Sequence, residues 1–327
     1  MTGAAAVDDP ADRRHLRDGG PIDALARLCA GADRWPRPAG GRTARRWLLL
    51  AAAARRDLIL GRLVEAHADA LAICAELDYP AAAGRRWGVW AAGPPASVTA
   101  RLVDDEWRLN GIKSWCSGAS LLSHALIDAS APDGQRLFAV GLRQSGVTVL
   151  PAEWEGPGMQ GADTRSVALD EVPADPVGPP GSYLTRPGFW IGAIGVAACW
   201  RGGTGTVAAP LYEKARRTGA GDSLLLAHLG AVHTALAESS AALRGAAGQV
   251  DRRPTADHSL LALTVRQTVE RNAVHVIDHV GRALGPAPLA HDRRHAATVA
   301  DLTVYIRQHH GDRDLAEIGR RIAERDR

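Results

Sequence analysis

The chain has 327 residues, enough to bury a large core and to divide into two or three domains. Hydrophobic residues make up 46% and charged residues 23%, and the formal charge is only +3, a balance ordinary for a soluble globular protein. Lys113 and Lys214 are the only lysines among 39 basic residues, so the basicity is almost all arginine. No basic run interleaves with aromatics as single-strand binders require, and nucleic acid is not expected as a partner. Cys29, Cys74, Cys116 and Cys199 are scattered without a CxxC pair, which argues against a structural zinc site and for reduced thiols in a cytoplasm. The longest apolar run, Trp47 to Ala54, is far short of the roughly 20 residues of a membrane span and ends at Arg55. Met1 to Asp18 lacks the apolar core of a signal peptide. These features predict a cytoplasmic protein with no membrane and no metal.

In chain order, residues 22–77 read as helical, with an Ala/Leu-rich stretch from Thr43 to Leu77 whose one interruption is Gly61. A Pro/Gly-rich patch from Arg34 to Gly41 precedes it, and Tyr79-Pro80 and Gly84 close it. From Trp87 to about Tyr183 the periodicity falls towards two. Short segments at 97–103, 106–109, 125–129, 137–142, 147–151 and 166–169, bounded by Gly, Pro or Asp, predict a small antiparallel β-barrel or sandwich.

Beyond Pro187 the chain is helical again, with helices predicted over Phe189–Arg217, Ser223–Val250, Asp257–Leu284 and Asp292–Glu324. Asp222 is placed to cap the second, Gly285-Pro286 to stop the third, and Pro210 to kink the first. Four long helices with short connections predict an antiparallel bundle. The expected domains are therefore an N-terminal helical domain over 1–86, a middle β-domain over 87–185 and a C-terminal helical bundle over 186–327.

Three segments carry a resemblance. Leu109-Asn110-Gly111-Ile112-Lys113-Ser114-Trp115-Cys116-Ser117-Gly118-Ala119 is similar to the Asn-Gly-x-Lys-x-Trp segment of the acyl-CoA dehydrogenase family. Gly158-Met159-Gln160-Gly161-Ala162-Asp163-Thr164-Arg165-Ser166, running on to Pro173, resembles that family's following strand pair. Thr185-Arg186-Pro187 with the small-residue strip Gly192 to Ala197 looks like the start of the family's first bundle helix, and Tyr212 to Arg216 like its end. The resemblance covers about Trp87 to Gly319. It implies an α+β, acyl-CoA dehydrogenase-like fold with an N-terminal helical region, a middle antiparallel β-barrel and a C-terminal four-helix bundle. It also implies an FAD-dependent oxidoreductase that is a homodimer or larger homo-oligomer.

By the same resemblance, Trp115 lies beside the isoalloxazine and Ser117 hydrogen-bonds the ring near N5. An indole suits this place because it offers a large flat face. Without its flanks Trp115 reads better as a core residue at a strand edge, and Ser117 as a turn residue. Arg216 falls where the family sends an arginine to the cofactor pyrophosphate across a dimer, a contact suited to a bidentate guanidinium. Gly281, in Val280 to Gly285, falls at a turn that receives part of that cofactor. Ala91 and Ala92 occupy the flavin-lining stretch, although Trp90 to Pro95 has lost the usual Thr-Glu and Gly-Ser-Asp. Arg186 and Trp190 are the substrate-side candidates. The glycines inside the first bundle helix are best explained by close helix packing.

Removal of an α-proton from an acyl thioester needs a base, and the family keeps a glutamate in one of two places. Thr185 occupies the first. The second, eight residues beyond Asp301, falls on His309, with His310 beside it, and a histidine acts as a base near neutral pH. The main expectation is therefore α,β-dehydrogenation of a small-molecule substrate, an acyl-CoA or carrier-bound acyl group. The alternatives are a flavin-dependent monooxygenase of the same fold, or a degenerate, non-catalytic homologue that acts as a binding partner.

Overall fold

The computed structural model describes residues 21–92 and 97–325; the expectations for the first 18 residues and for Gly93 to Pro95 lie outside them. The described residues form two compact units, one lying within Met1–Trp35, Ala66–Ala152 and Asp163–Ser182, the other within Pro36–Glu65, Glu153–Ala162 and Tyr183–Arg327. Helix α1 (Pro21–Ala32) belongs to the first and α2 (Thr43–Arg56) to the second, while α3 (Leu58–Glu76) contributes to both. Among the described residues no helix is long and apolar enough to cross a membrane.

The first unit is organised on one sheet. Its strands are β1 (Trp87–Trp90), β2 (Val98–Val103), β3 (Glu106–Cys116), β4 (His124–Ala131), β5 (Gly134–Gly141), β6 (Val147–Val149), β7 (Arg165–Pro173) and β8 (Asp175–Val177). They run in the order β6-β7-β3-β2-β4-β5-β8, with β1 paired to β4. The predicted barrel is corrected here: β6 and β8 end the path without meeting, so the sheet is open, and β1 and β2 pair with β4 in parallel. Alternation and turn residues specify strands and hairpins locally, and they are the same whether or not a sheet closes.

Local chemistry explains the hairpins. Asp104 and Asp105 form the two-residue β2–β3 turn with φ of +49° and +62°, the left-handed pair that a type I′ turn requires. Gly111 is obligatory, because at φ +130° a Cβ would stand 2.3 Å from the Ser97 carbonyl oxygen. The core takes in Trp87, Leu109, Leu126, Ile127, Phe138 and Val172, all fully buried. Buried His67 accepts the Trp87 N–H at Nδ1 (3.2 Å) and presents Nε2 to Asp33 (3.2 Å), which joins the chain before and after α3.

The second unit is helical. It contains α2, the start of α3, α5 (Gly188–Thr218), α6 (Ser223–Arg252), α7 (Ser259–Leu284), α8 (Ala287–His291), α9 (Arg293–Tyr305) and α10 (Asp312–Arg325); the short α4 (Ser182–Thr185) leads into α5. Helices α5, α6 and α7 pack on one another, α9 packs on α5, α10 on α7, and α2 along α5. The glycines of α5 allow close approach: a Cβ on Gly202 would meet the Ala51 carbonyl oxygen of α2 at 2.1 Å, and one on Gly203 a methyl of Leu58, the first residue of α3, at 2.4 Å. Asp222 caps α6 by accepting the Leu225 N–H at 2.9 Å, and Gly285, at φ +69°, ends α7, both as expected. Helix α5 runs unbroken through Pro210.

The expected fourth helix is two. It stops at Tyr305, passes through one 3₁₀ turn (Ile306–Gln308), and restarts at Asp312 after Gly311, whose φ is +59°. The four-helix bundle expected of the C-terminal chain is thus three long helices with α2, α9 and α10 packed around them.

Candidate functional site

The first motif ends in a strained corner. Pairing of β3 with β7 slips once between Leu109 and Gly111, stays in register from Gly111↔Leu169 to Lys113↔Val167, and slips again before Cys116↔Arg165, and this second bulge holds Trp115. Trp115 has φ +62° and is 59% exposed, so a bulky side chain sits in left-handed backbone and points out of the sheet. Such a conformation costs on the order of 1–3 kcal/mol and persists only where the surroundings impose it. The surroundings do: the buried Lys113 ammonium pairs with Asp128, and the buried Cys116 thiol donates to the Lys113 carbonyl at 3.2 Å. Burial pushes the Cys116 thiol up to about 12, so it stays protonated.

The residues after the bulge fold back. The Ser117 N–H donates to the Trp115 carbonyl at 3.1 Å, and the Ser117 carbonyl accepts the Trp90 indole N–H at 3.0 Å. Half-buried Ala91 and exposed Ala92 follow Trp90 directly. Ser117 Oγ lies 3.1 Å from Thr164 Oγ1. Asp163, at φ +46°, accepts from the Ala119 N–H through its carbonyl (3.1 Å), from the Ser120 N–H (2.7 Å) and from Arg165 Nε (2.6 Å) through its carboxylate. The first two of the three segments that carry the resemblance are therefore bound to each other. Of these partners, Trp90, Asp163 and Thr164 were not singled out from sequence, although all three lie within the quoted stretches.

The remaining candidates lie in the helical unit. Arg186 is buried just before α5, its guanidinium carbon 5.5 Å from the Tyr183 ring. Trp190, one turn on, is half-buried, edge-on to Phe189 at 5.3 Å, with the Arg321 guanidinium 6.0 Å from its ring. Thr185 is exposed. Arg216 is exposed near the end of α5 and Gly281 half-buried near the end of α7; Lys214, donating to the Ala283 carbonyl at 3.1 Å, ties these two helix ends together.

His309 is buried in the break between α9 and α10 and His310 is exposed. His309 Nδ1 accepts the Gly311 N–H at 3.0 Å, and Nε2 faces Asp314 Oδ2 at 3.4 Å. With Nδ1 accepting, the neutral ring carries its proton on Nε2. Burial lowers the His309 pKa below the ordinary value; Asp314 opposes that and Arg266 adds to it. Arg266 also holds the stretch in place: it is buried, 4.7 Å from the Trp200 ring, and donates to the Ala193 and Gln308 carbonyls at 2.8 and 2.9 Å. Asp301, from which the slot at His309 was counted, accepts the Met159 N–H at 2.6 Å, and burial raises its carboxyl.

The chain is α+β, with an open mixed sheet and a unit of long helices, and solved structures share this fold. TdsC of Paenibacillus sp. A11-2, solved with FMN and indole, matches with a TM-score of 0.77 at 19% identity over 94% of this chain and 92% of its own. Methanesulfinate monooxygenase MsuC of Pseudomonas fluorescens matches at 0.69 and 16% identity, over 92% and 96%. KijD3, in complex with FMN and a dTDP-amino-keto sugar, matches at 0.69 and 18% identity, over 89% and 84%. At these identities the likeness is one of fold. No protein-family model matches the sequence, and no curated protein does.

Proposed function

We propose that this protein is a flavin-dependent oxidoreductase whose Trp115–Ser117 corner meets the isoalloxazine. The carrying observation is the left-handed, outward-pointing Trp115 held beside the Ser117–Thr164 hydroxyl pair. An exposed indole is a flat wall for a planar ring. Two hydroxyls share one hydrogen between them, and the second remains for a ring nitrogen or carbonyl. These groups fit a flavin, and TdsC and KijD3, which share the fold, were solved with FMN. A bound flavin would supply two-electron transfer; the protein's part is to bind and orient it. FAD, expected from the resemblance, needs Arg216 and Gly281 for its adenylate half, whereas FMN needs neither. Binding of both flavins to wild type and to Arg216→Ala separates the two cofactors: loss of FAD affinity alone supports the larger one.

Two reactions are proposed: dehydrogenation, in which an acyl substrate gives its electrons to the flavin, and monooxygenation, in which the reduced flavin gives its electrons to oxygen. Thr185 accepts a proton poorly, and the buried His309 has its Nδ1 lone pair engaged by Gly311. A monooxygenase needs no strong base at those places, and MsuC and TdsC, a dibenzothiophene monooxygenase, share the fold. Dehydrogenation of an acyl-CoA or carrier-bound acyl group would instead rest on His309 or His310 as base, with Arg186 and Trp190 beside the substrate. Bleaching of the oxidised flavin by an acyl-CoA panel under anaerobic conditions supports desaturation. No bleaching, with substrate-dependent oxygen uptake by the reduced protein, supports oxygenation. A protein that does neither while binding flavin is the non-catalytic homologue.

A further inference from the structure

Away from the groups discussed so far, α5 and α6 line a depression of about 450 Å³ that is open to solvent, of a size that small-molecule sites commonly have. Arg201, Tyr212, His233, Leu236, Ser240 and Arg244 line it. Arg201 is half-buried, and its Nε donates to the Leu236 carbonyl at 3.1 Å and to Ser240 Oγ at 3.0 Å, which fixes the guanidinium and leaves its terminal amino groups without an acceptor among the described residues. Tyr212 Oη and His233 Nδ1 lie 3.2 Å apart on the same wall.

The charge here is one-sided. Burial lowers the Arg201 pKa, and the neighbouring cations Arg55 and Arg244 lower it further; the Tyr212 hydroxyl opposes them, and no carboxylate acts on it among the described residues. A half-buried guanidinium is normally paired, because desolvation without a counter-charge is costly. An anion in the depression would supply that counter-charge. Guanidinium forks match phosphate oxygens in pairs, and a phosphate's second charge suits a site with more than one arginine. The volume exceeds what a bare phosphate fills, and Leu236 adds an apolar wall.

We propose that the α5–α6 depression binds a phosphate monoester, its phosphate held by Arg201 and Arg244 and its organic part lying against Leu236 and Tyr212. This site is independent of the flavin reading. The test is titration calorimetry of the full chain, in buffer free of phosphate, with phenyl phosphate, inorganic phosphate and benzoate. Phenyl phosphate should bind most tightly, and Arg244→Ala should weaken it about ten-fold, the loss of one charge-assisted contact. Arg244 is exposed, so that variant keeps its fold; Arg201→Lys, which keeps the charge but loses the fork, should weaken binding as well. Absence of phenyl phosphate binding, an affinity unchanged in Arg244→Ala, or benzoate binding as tightly as phenyl phosphate would each overturn the assignment.

Discussion

Ser117 Oγ stands 3.1 Å from Thr164 Oγ1, so the bulged end of β3 and the residue before β7 share a hydroxyl pair beside the exposed Trp115. Neither hydroxyl has a carboxylate or backbone partner among the described residues, and one proton of the pair is left for a ligand. Ser117→Ala and Thr164→Val should each weaken flavin binding by a few-fold to about ten-fold, the worth of one neutral hydrogen bond. The double variant should lose no more than the larger single effect, since the two act as one unit. Fluorescence titration checks this; fully additive losses would mean that the hydroxyls act separately.

The bulge depends on the Lys113–Asp128 pair. Lys113 is 1% exposed, and Asp128 also accepts from Gln135 Nε2 at 3.0 Å. Removing one partner of a buried pair leaves the other uncompensated, at a cost of roughly 3–5 kcal/mol. Lys113→Ala should therefore lower the thermal midpoint clearly, while Lys113→Ala/Asp128→Ala recovers part of the loss. A single variant as stable as wild type would show that the pair does not support the corner.

Gly202 is a test of the helical unit alone. A Cβ there would stand 2.1 Å from the Ala51 carbonyl oxygen, which is backbone and cannot swing away. Although alanine favours helix, Gly202→Ala should destabilise by about 1–3 kcal/mol through forced separation of α2 and α5. Gly230→Ala, on α6 with open space around it, should be neutral or slightly stabilising. Chemical denaturation of both variants gives the comparison, and equal effects would refute the packing argument.

The pH dependence follows from His309. Burial depresses its pKa in the folded chain, so below about 6.5, where a free histidine protonates, the unfolded state binds more protons than the folded one. Stability is thus present above the unfolded pKa and falls as the pH drops towards the folded pKa. His124, His279 and His295, also lowered chiefly by burial, act in the same direction. Denaturation midpoints measured from pH 7.5 to 5 should fall with acidity, and less steeply in His309→Gln. An identical slope in the variant would mean that His309 is not a source of the dependence.

Much of this was legible in the sequence, but unevenly. The Asp residues bounding the strands at 104–105, the Asp222 cap and the Gly285 stop are local, and short-range chemistry decides them; the strand expected to end at Leu109 runs on through Gly111 to Cys116. The open sheet is not local: β1 joins β4 in parallel, and the four-residue Trp-Gly-Val-Trp segment gives no alternation to announce it. The count of eight residues from Asp301 to His309 presumes one continuous helix, yet α9 ends at Tyr305, where a left-handed Gly311 and the His309 ring rearrange the backbone. The Trp115 bulge was hidden for a similar reason. Its sequence reads as plain strand, and only the second slip in pairing with β7 turns the indole outward.

The central claim, that Trp115 and its hydroxyl neighbours receive a flavin, is tested most directly by titrating the purified chain with FMN and with FAD while following flavin fluorescence. The account predicts saturable binding of one flavin per chain, and a marked loss of affinity in Trp115→Ala with the circular dichroism spectrum unchanged. Failure of the wild-type chain to bind either flavin, or a Trp115→Ala variant that binds as wild type does, would contradict it.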